Sequence, residues 1–221
     1  SETAVLKNFK LVDSYMKATA GYLGLIGTGK VASIEKVYTN AYLESEASGD
    51  PSHAAGFVGL IVPISENTVT TFNNGEIVGK STRSAAGFVG LINSKITLEF
   101  NDCLSTGNVK SANRAGGFIG WLNAGWYVSN QGWQTNKWRF NNCLSICELT
   151  GAANLAGAYV GQVGTNVISL TMNNSYGVGN VLIGTVGSGT APTGCMMGRE
   201  DLVNTDVTRL FPASTAWVND E

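Results

Sequence analysis

The chain has 221 residues, of which 43% are hydrophobic and 14% are charged, and its formal net charge is -2. This length allows one sizeable core, and the nearly balanced charge offers no basic surface, so we do not expect nucleic acid as a partner. No run of about 18 apolar residues occurs, so we expect no insertion into a membrane.

Glycine is unusually frequent, with 28 residues against 4 prolines. Such a glycine content indicates repeated tight turns or close stacking of backbones, and it directs attention to internal repeats. One motif consists of a small residue, glycine, an aromatic residue, an aliphatic residue and glycine. We align six copies of it, the last two weaker, at 20–24, 55–59, 86–90, 116–120, 157–161 and 194–198. Since the spacing varies while the motif is kept, the insertions are expected in loops.

A second motif alternates with the first and has apolar residues at every second position before a turn, which is typical of a β-strand. Its clearest copy runs from Ile96 to Cys103. Aligning the copies puts an Asn or Asp in one column, which consists of Asp13, Asn40, Asn74, Asp102, Asn142 and Asn174. The next column is small throughout, with Ser14, Ala41, Gly75, Cys103, Cys143 and Ser175. Two positions before the Asn/Asp column lies an apolar, inward-facing column of Leu11, Tyr38, Phe72, Phe100, Phe140 and Met172.

The content of the repeat decides between the known repeat folds. No unit shows the apolar spacing of a helix, which argues against helical solenoids. The shortest unit is too short for the four strands of a propeller blade. The pattern therefore predicts an all-β fold, a parallel β-helix of about six coils. In such a fold equivalent residues stack as ladders, and an Asn or Asp at a corner can bond the same turn in the neighbouring coils.

The two motifs resemble the GLUG repeat, which occurs in bacterial surface proteins and beside the protease domain of some IgA-cleaving enzymes. The most specific matches are 55–60 and 86–91, with the sequence Ala-Gly-Phe-Val-Gly-Leu, and the segment 100–109. The resemblance covers about residues 5–200. It divides the chain into solenoid repeats over 1–200 and a capping segment over 201–221, and it supplies no catalytic residues.

Groups able to carry out catalysis are few. The only histidine, His53, follows a Gly-Asp-Pro-Ser sequence and is expected in a solvated turn. Cys103 and Cys143 are expected to be buried thiols, although a disulfide between them stays open. Glu99 and Arg139 occupy equivalent outward positions and are expected to form a surface ion pair. We therefore expect no catalytic residues, no bound metal and no cofactor.

The unit that contains residues 121–138 is longer than the others and holds four of the five tryptophans. Trp138 aligns with Leu98 and Leu170 and is expected in the core, and Trp121 aligns with Leu60 and Leu91. The remaining aromatic residues fit no column and form the candidate ligand-binding set, which is Trp126, Tyr127 and Trp133. They either bind a sugar or protein ligand or fold back as a lid.

The repeats and the scarcity of catalytic groups, together with the resemblance to GLUG repeats, predict a protein that is not an enzyme and that serves outside the cell or at its surface as a scaffold, spacer or adhesin. Its expected partners are a glycan or a cell-surface protein, and unpaired strand edges would permit end-to-end self-association. Two alternatives stay open. One is a carbohydrate-binding module that uses the aromatic loop 121–138, and the other is a β-helix enzyme that degrades polysaccharides.

Overall fold

A computed structural model of the chain describes residues 2–19, 21–45, 52–62, 64, 68–73, 75–81, 85–92, 96–111, 113–122, 136–151, 155–178, 183–188, 196–197, 210–211 and 214. All 22 elements of this described part are β-strands, and 17 of them belong to one parallel sheet. The described elements are therefore all-β, as the alternation of apolar residues predicts. In the described part, no helix has the length and apolar content that crossing a bilayer requires.

Most of the described strands are short, and two of them reach 14 residues. In chain order, the first nine are β1 (Ala4–Leu11), β2 (Tyr15–Ala18), β3 (Gly21–Leu23), β4 (Ile26–Thr39), β5 (Tyr42–Ser45), β6 (Ser52–Ala54), β7 (Val58–Val62), β8 (Val69–Asn73) and β9 (Glu76–Ser81). The next six are β10 (Ala85–Ala86), β11 (Val89–Ile92), β12 (Thr97–Asn101), β13 (Leu104–Lys110), β14 (Ala115–Gly116) and β15 (Ile119–Leu122). The last seven are β16 (Asn136–Asn141), β17 (Leu144–Thr150), β18 (Ala156–Gly157), β19 (Val160–Asn173), β20 (Tyr176–Val178), β21 (Ile183–Ser188) and β22 (Met196–Met197).

The parallel pairs build three stacks of strands, in which each strand lies beside its equivalent from the next unit. The first stack contains β1, the second half of β4, β8, β12, β16 and the second half of β19. The second stack contains β2, β5, β9, β13, β17, β20 and β22. The third stack contains the first half of β4, β7, β11, β15, the first half of β19 and β21.

Two columns of aromatic rings fill the space between the stacks. Phe88 lies in the first column, and its ring centroid is 4.9 Å from that of Phe57 and 4.7 Å from that of Phe118. Phe100 lies in the second column, 4.7 Å from Phe72 and 4.6 Å from Phe140, with both ring pairs stacked. All these rings are fully buried. Phe57, Phe88 and Phe118, the aromatic residues of three copies of the first motif, thus form one inward column.

The glycine that ends the first motif is required by the close approach of successive units. A Cβ atom on Gly90 would lie 2.7 Å from the carbonyl oxygen of Gly59, and one on Gly59 would lie 2.7 Å from the carbonyl oxygen of Gly27. Carbon atoms cannot approach an oxygen this closely without a shift of the backbone. The column of stacked glycines is Gly27, Gly59, Gly90, Gly120, Gly161 and Gly184.

This register corrects the sequence alignment of the first and last copies. Ile26 lies opposite Val58, so the first copy ends at Gly27 and not at Gly24. Ile183 lies opposite Val160, so the last copy ends at Gly184 and not at Gly198. Residues 196–197 belong to the second stack instead, opposite Gly177 and Val178. The sequence alignment placed the first copy at 20–24 because these residues match every position of the motif. In the structure, Leu25 occupies the aromatic position of the first copy.

The described residues of the C-terminal tail lie against the side of the second stack. Leu144 faces outward, since its neighbour Ser145 points inward, yet only 1% of its surface is exposed. Leu144 lies opposite Tyr176, whose ring centroid is 6.0 Å from that of the buried Phe211. The Ser214 hydroxyl donates a hydrogen bond to the Asp102 carboxylate. The rest of the predicted capping segment 201–221 lies outside the described residues.

Replacing Phe88 by alanine tests how much the first aromatic column contributes. Because Phe88 is fully buried and touches rings of both columns, Phe88→Ala leaves a cavity and should lower the free energy of unfolding by about 3–5 kcal/mol. Urea unfolding followed by circular dichroism measures this loss. Val5→Ala, at a site that is 51% exposed, is the control and should change stability by less than about 0.5 kcal/mol. A loss below about 1 kcal/mol for Phe88→Ala would contradict the burial of this column.

Candidate functional site

The three residues of the predicted ligand-binding set, Trp126, Tyr127 and Trp133, lie outside the described residues. The two tryptophans that flank them are described. Trp138 is fully buried opposite Leu98 and Leu170, which confirms its place in the core. Trp121 lies opposite Leu91 and keeps part of its surface exposed.

The guanidinium group of Arg114 lies over the ring of Trp121, close in sequence to the start of the long insertion. The guanidinium carbon of Arg114 is 3.6 Å from the ring centroid, a distance at which the cation and the ring attract each other. The Nε atom of Arg114 donates a hydrogen bond to the Gln162 side chain on the next strand of the third stack. Trp121 is therefore held in place by Arg114 and remains partly exposed, shortly before the segment 123–135 in the sequence.

The expectation that His53 lies in a solvated turn is wrong. Strand β6 begins at Ser52, and only 1% of the surface of His53 is exposed. Its ring is stacked on Tyr22, with a centroid distance of 5.8 Å and an angle of 16°, and it also contacts Trp121 at 5.8 Å. Ser52 and His53, which the composition placed in a turn, both belong to this strand.

The predicted Asn/Asp column forms a hydrogen-bonded ladder at Asp102, Asn142 and Asn174. Asn142 donates from its amide to the Asp102 carboxylate over 3.2 Å, and Asn174 donates to Asn142 over 3.4 Å. All three residues have left-handed backbones, with φ values between 44° and 53°. This conformation explains the residue type, because Asn and Asp adopt it more readily than other non-glycine residues. Asn74 lies outside the described residues.

The first two members of that column are corrected by the register. Ile34 lies opposite Phe72, and Leu6 lies opposite Ile34, so Leu6 and Ile34 continue the inward column in place of Leu11 and Tyr38. The matching corner positions are Asn8 and Lys36, both with positive φ values of 55° and 52°. Asp13 and Asn40 lie further along the chain. They bond each other instead, with the Asp13 backbone amide 2.7 Å from the Asn40 side-chain oxygen.

A longer asparagine ladder runs one position before this corner and was missed by the sequence reasoning. The amide of Asn101 donates to Asn73 over 2.8 Å, that of Asn141 to Asn101 over 2.7 Å, and that of Asn173 to Asn141 over 2.8 Å. An amide both donates and accepts, so identical residues can bond in an unbroken row. The signal was present in the sequence, since all four residues are asparagine.

The buried serines and cysteines of the units are used for contacts between strands. Ser105 and Ser145 donate over 2.5 Å to the carbonyl oxygens of Gly117 and Ala158. Cys103 and Cys143 are free thiols with fully buried side chains, as expected, and Cys147 is free and buried as well. Burial, and then a hydrogen bond with Cys103, raises the pKa of the Cys143 thiol well above its ordinary value.

Glu99 and Arg139 lie opposite each other on β12 and β16, and their charged atoms are 3.6 Å apart. About half of the arginine side chain is exposed, so the pair is a surface ion pair, as predicted, and contributes little to stability. Among the described residues, no three His, Cys, Asp or Glu side chains come close enough together to hold a metal ion.

A surface that the sequence reasoning did not single out lies on β2 and β5, on the ends of β1 and β4 that precede them, and on the segments that connect these strands. Tyr15 and Tyr42 are opposite each other with stacked rings, 5.5 Å between centroids, and they are 57% and 41% exposed. Beyond them, Lys17 lies opposite Glu44, with 3.9 Å between charged atoms. We call this surface the tyrosine patch, and its members are Lys10, Asp13, Tyr15, Lys17, Tyr38, Asn40, Tyr42 and Glu44.

The side chains of the tyrosine patch hold one another in place. Lys10 lies 5.8 Å from the ring centroid of Tyr38, and Asn40 donates to the Asp13 carboxylate over 3.2 Å. The Tyr15 hydroxyl donates to the Glu44 carboxylate, and this hydrogen bond is the first cause of a raised pKa of the Tyr15 phenol. The phenol therefore stays protonated at neutral pH.

No protein-family model matches the chain, and neither a curated protein nor a solved structure matches it significantly. Arguments about function accordingly rest on the geometry described above and on the repeat pattern of the sequence.

Replacing Lys36 tests the corrected corner position. The backbone at Lys36 is left-handed, a conformation that costs an L-residue roughly 1–2 kcal/mol and that asparagine adopts more readily than lysine. Lys36→Asn should therefore raise the free energy of unfolding by about 0.5–1 kcal/mol in urea melts. Lys30→Asn, within an ordinary stretch of β4, should be neutral or destabilising. Equal losses for both variants would show that Lys36 is not a corner residue.

Proposed function

We propose that the chain is a structural repeat module of the GLUG type, a parallel β-helix of about six coils over 1–200 closed by residues 201–221. It serves outside the cell or at its surface as a scaffold, spacer or adhesin. The observation that carries this proposal is the continuous register of the three strand stacks, in which one unit adds one strand to each stack. A protein built in this way changes its length by whole units without changing its cross-section.

The use of polar side chains supports a structural role. The asparagine ladder joins Asn73 to Asn173 through three amide hydrogen bonds. Ser105 and Ser145 are fully buried and bond backbone carbonyls of neighbouring turns. The asparagine bonds thus join successive units, whereas the serine bonds, which span 12 and 13 residues, join parts of one unit.

A location outside the cell rests on the resemblance to surface-protein repeats and agrees with the state of the thiols. Disulfide chemistry begins with a thiolate. Burial raises the pKa of both Cys143 and Cys147, so these side chains keep their protons at neutral pH and react slowly with oxidants. A chain with these free cysteines can therefore persist in an oxidising compartment.

Carbohydrate binding through the loop 121–138 is the second candidate function. It is favoured by Trp121, which is partly exposed, shortly precedes the insertion in the sequence and is held by Arg114. Aromatic rings that are both ordered and exposed are common in binding sites. In this form of the proposal, Trp126, Tyr127 and Trp133 supply further contacts. Alanine at Trp126 and Trp133 should then weaken sugar binding while leaving the melting temperature nearly unchanged.

Deleting one unit tests the structural role. Val89 lies opposite Ile119, so removing residues 90–119 joins Val89 to Gly120 and restores the register of every stack. The shortened protein should still unfold cooperatively, and fluorophores at its two ends should move closer by about 5 Å, one strand spacing. Deleting 90–111 is the control, because it breaks the register and should prevent cooperative unfolding. An unfolded 90–119 deletion, or an unchanged end-to-end distance, would contradict a modular spacer.

A further inference from the structure

The large exposed hydrophobic side chains of the described residues belong to the first two units of the chain. Four large hydrophobic side chains are exposed there, namely Val5, Val12, Tyr15 and Tyr42. The two tyrosines form the centre of the tyrosine patch, and Val12 lies directly before Asp13. In later units the equivalent outward positions differ, since Tyr42 is followed along its column by Lys80, Asn108 and Glu148.

The tyrosine pair offers a ring face to solvent. Tyr42 covers one face of the Tyr15 ring, at 5.5 Å and 20°. Within the described part of the chain, β2 pairs with β5 alone, so no described strand borders the opposite face of Tyr15. An exposed ring face of this kind accepts flat, weakly polar surfaces such as the C–H face of a pyranose ring.

Polar residues lie on the same strands as the tyrosine pair and in the segments before it, and they are held by contacts with one another or with Tyr15. Glu44 accepts from the Tyr15 phenol and contacts Lys17, and Asp13 and Asn40 are joined by two hydrogen bonds. Sugar hydroxyls both donate and accept, so they match a mixture of carboxylate, amide and ammonium groups. Because the side chains hold one another, little conformational entropy is lost on binding.

The charges of the patch decide the class of ligand. Lys10 and Lys17 carry two positive charges, and Asp13 and Glu44 carry two negative charges, so the sum is zero. The carboxylates would repel a polyanion, and the lysines would repel a cation. A neutral ligand with many hydroxyl groups meets neither obstacle.

We propose that the tyrosine patch is a binding site for neutral oligosaccharides, in which one sugar ring stacks on the free face of Tyr15 and its hydroxyls bond Glu44, Lys17 and the pair of Asp13 and Asn40. None of the residues of this site belongs to the loop 121–138. The inference goes beyond the proposed spacer role, which needs no ligand, and its failure would leave the result of the unit deletion unaffected.

Isothermal titration of the full chain with cellohexaose, maltohexaose and chitohexaose tests the site, with hexagalacturonate as the anionic comparison. At least one neutral hexasaccharide should bind with a Kd of about 1 mM or lower, as expected for a small, exposed site. Tyr15→Ala should weaken this binding at least about tenfold, which corresponds to 1.4 kcal/mol. Tyr15→Phe keeps the ring and should stay within about threefold, a difference below 0.7 kcal/mol.

Control variants separate this site from the others. Val5→Ala, which removes an exposed apolar side chain of the first stack, should bind as the natural chain does. Melting temperatures should change by less than about 2 °C in Tyr15→Ala, because the ring lies outside the core. The proposal is overturned if none of the neutral sugars binds, if only hexagalacturonate binds, or if Trp126→Ala abolishes binding while Tyr15→Ala does not. Self-association that Tyr15→Ala removes, without sugar binding, would instead assign the patch to a contact between copies.

Discussion

Every strand of the described sheet has its hydrogen-bonding partners about one unit away in the sequence, at the strand spacing of about 4.8 Å. Each side chain must therefore tolerate the residue at its own position in the next unit as its nearest neighbour. This constraint selects residues that pair well with copies of themselves. Phenylalanine does so by stacking, as Phe100 does with Phe72 and Phe140, and asparagine does so through its amide, as Asn101 does with Asn73 and Asn141.

Charged residues satisfy the same constraint when a positive side chain lies opposite a negative one in the next unit. Lys7 lies opposite Glu35 with 2.7 Å between charged atoms, and this hydrogen bond and charge lower the pKa of the Glu35 carboxyl. Glu99 lies opposite Arg139 in the same manner. Such exposed pairs add little stability, but like charges at this spacing would repel each other, so the alternation also fixes which unit stacks on which. Glycine fills the column where the backbones come so close that a Cβ atom would meet a carbonyl oxygen.

The register of the central units could be predicted from the sequence because the two motifs of these units give the same alignment. Phe57, Phe88 and Phe118 share both the glycine that follows and the strand motif after it, so their register had a single solution. The first unit failed because Leu25 stands in place of an aromatic residue while Tyr22 nearby completes a false copy. The corner of the second unit was not predicted because Lys36 occupies it, and lysine has no preference for a left-handed backbone. The burial of His53 and the contact of Phe211 with Tyr176 depend on packing between distant segments, for which no repeat pattern exists.

Spin-label distances along one column test the stacking most directly. Val5 and Thr171 are exposed end members of the same column of the first stack, separated by five strand spacings through Ser33, Thr71, Glu99 and Arg139. Labels on Val5→Cys and Thr171→Cys should give a narrow distance distribution near 24 Å plus the reach of the labels, and the pair Val5→Cys and Arg139→Cys should be shorter by about 5 Å. A broad distribution, or a distance that does not shorten by one strand spacing between the two pairs, would contradict the in-register stack.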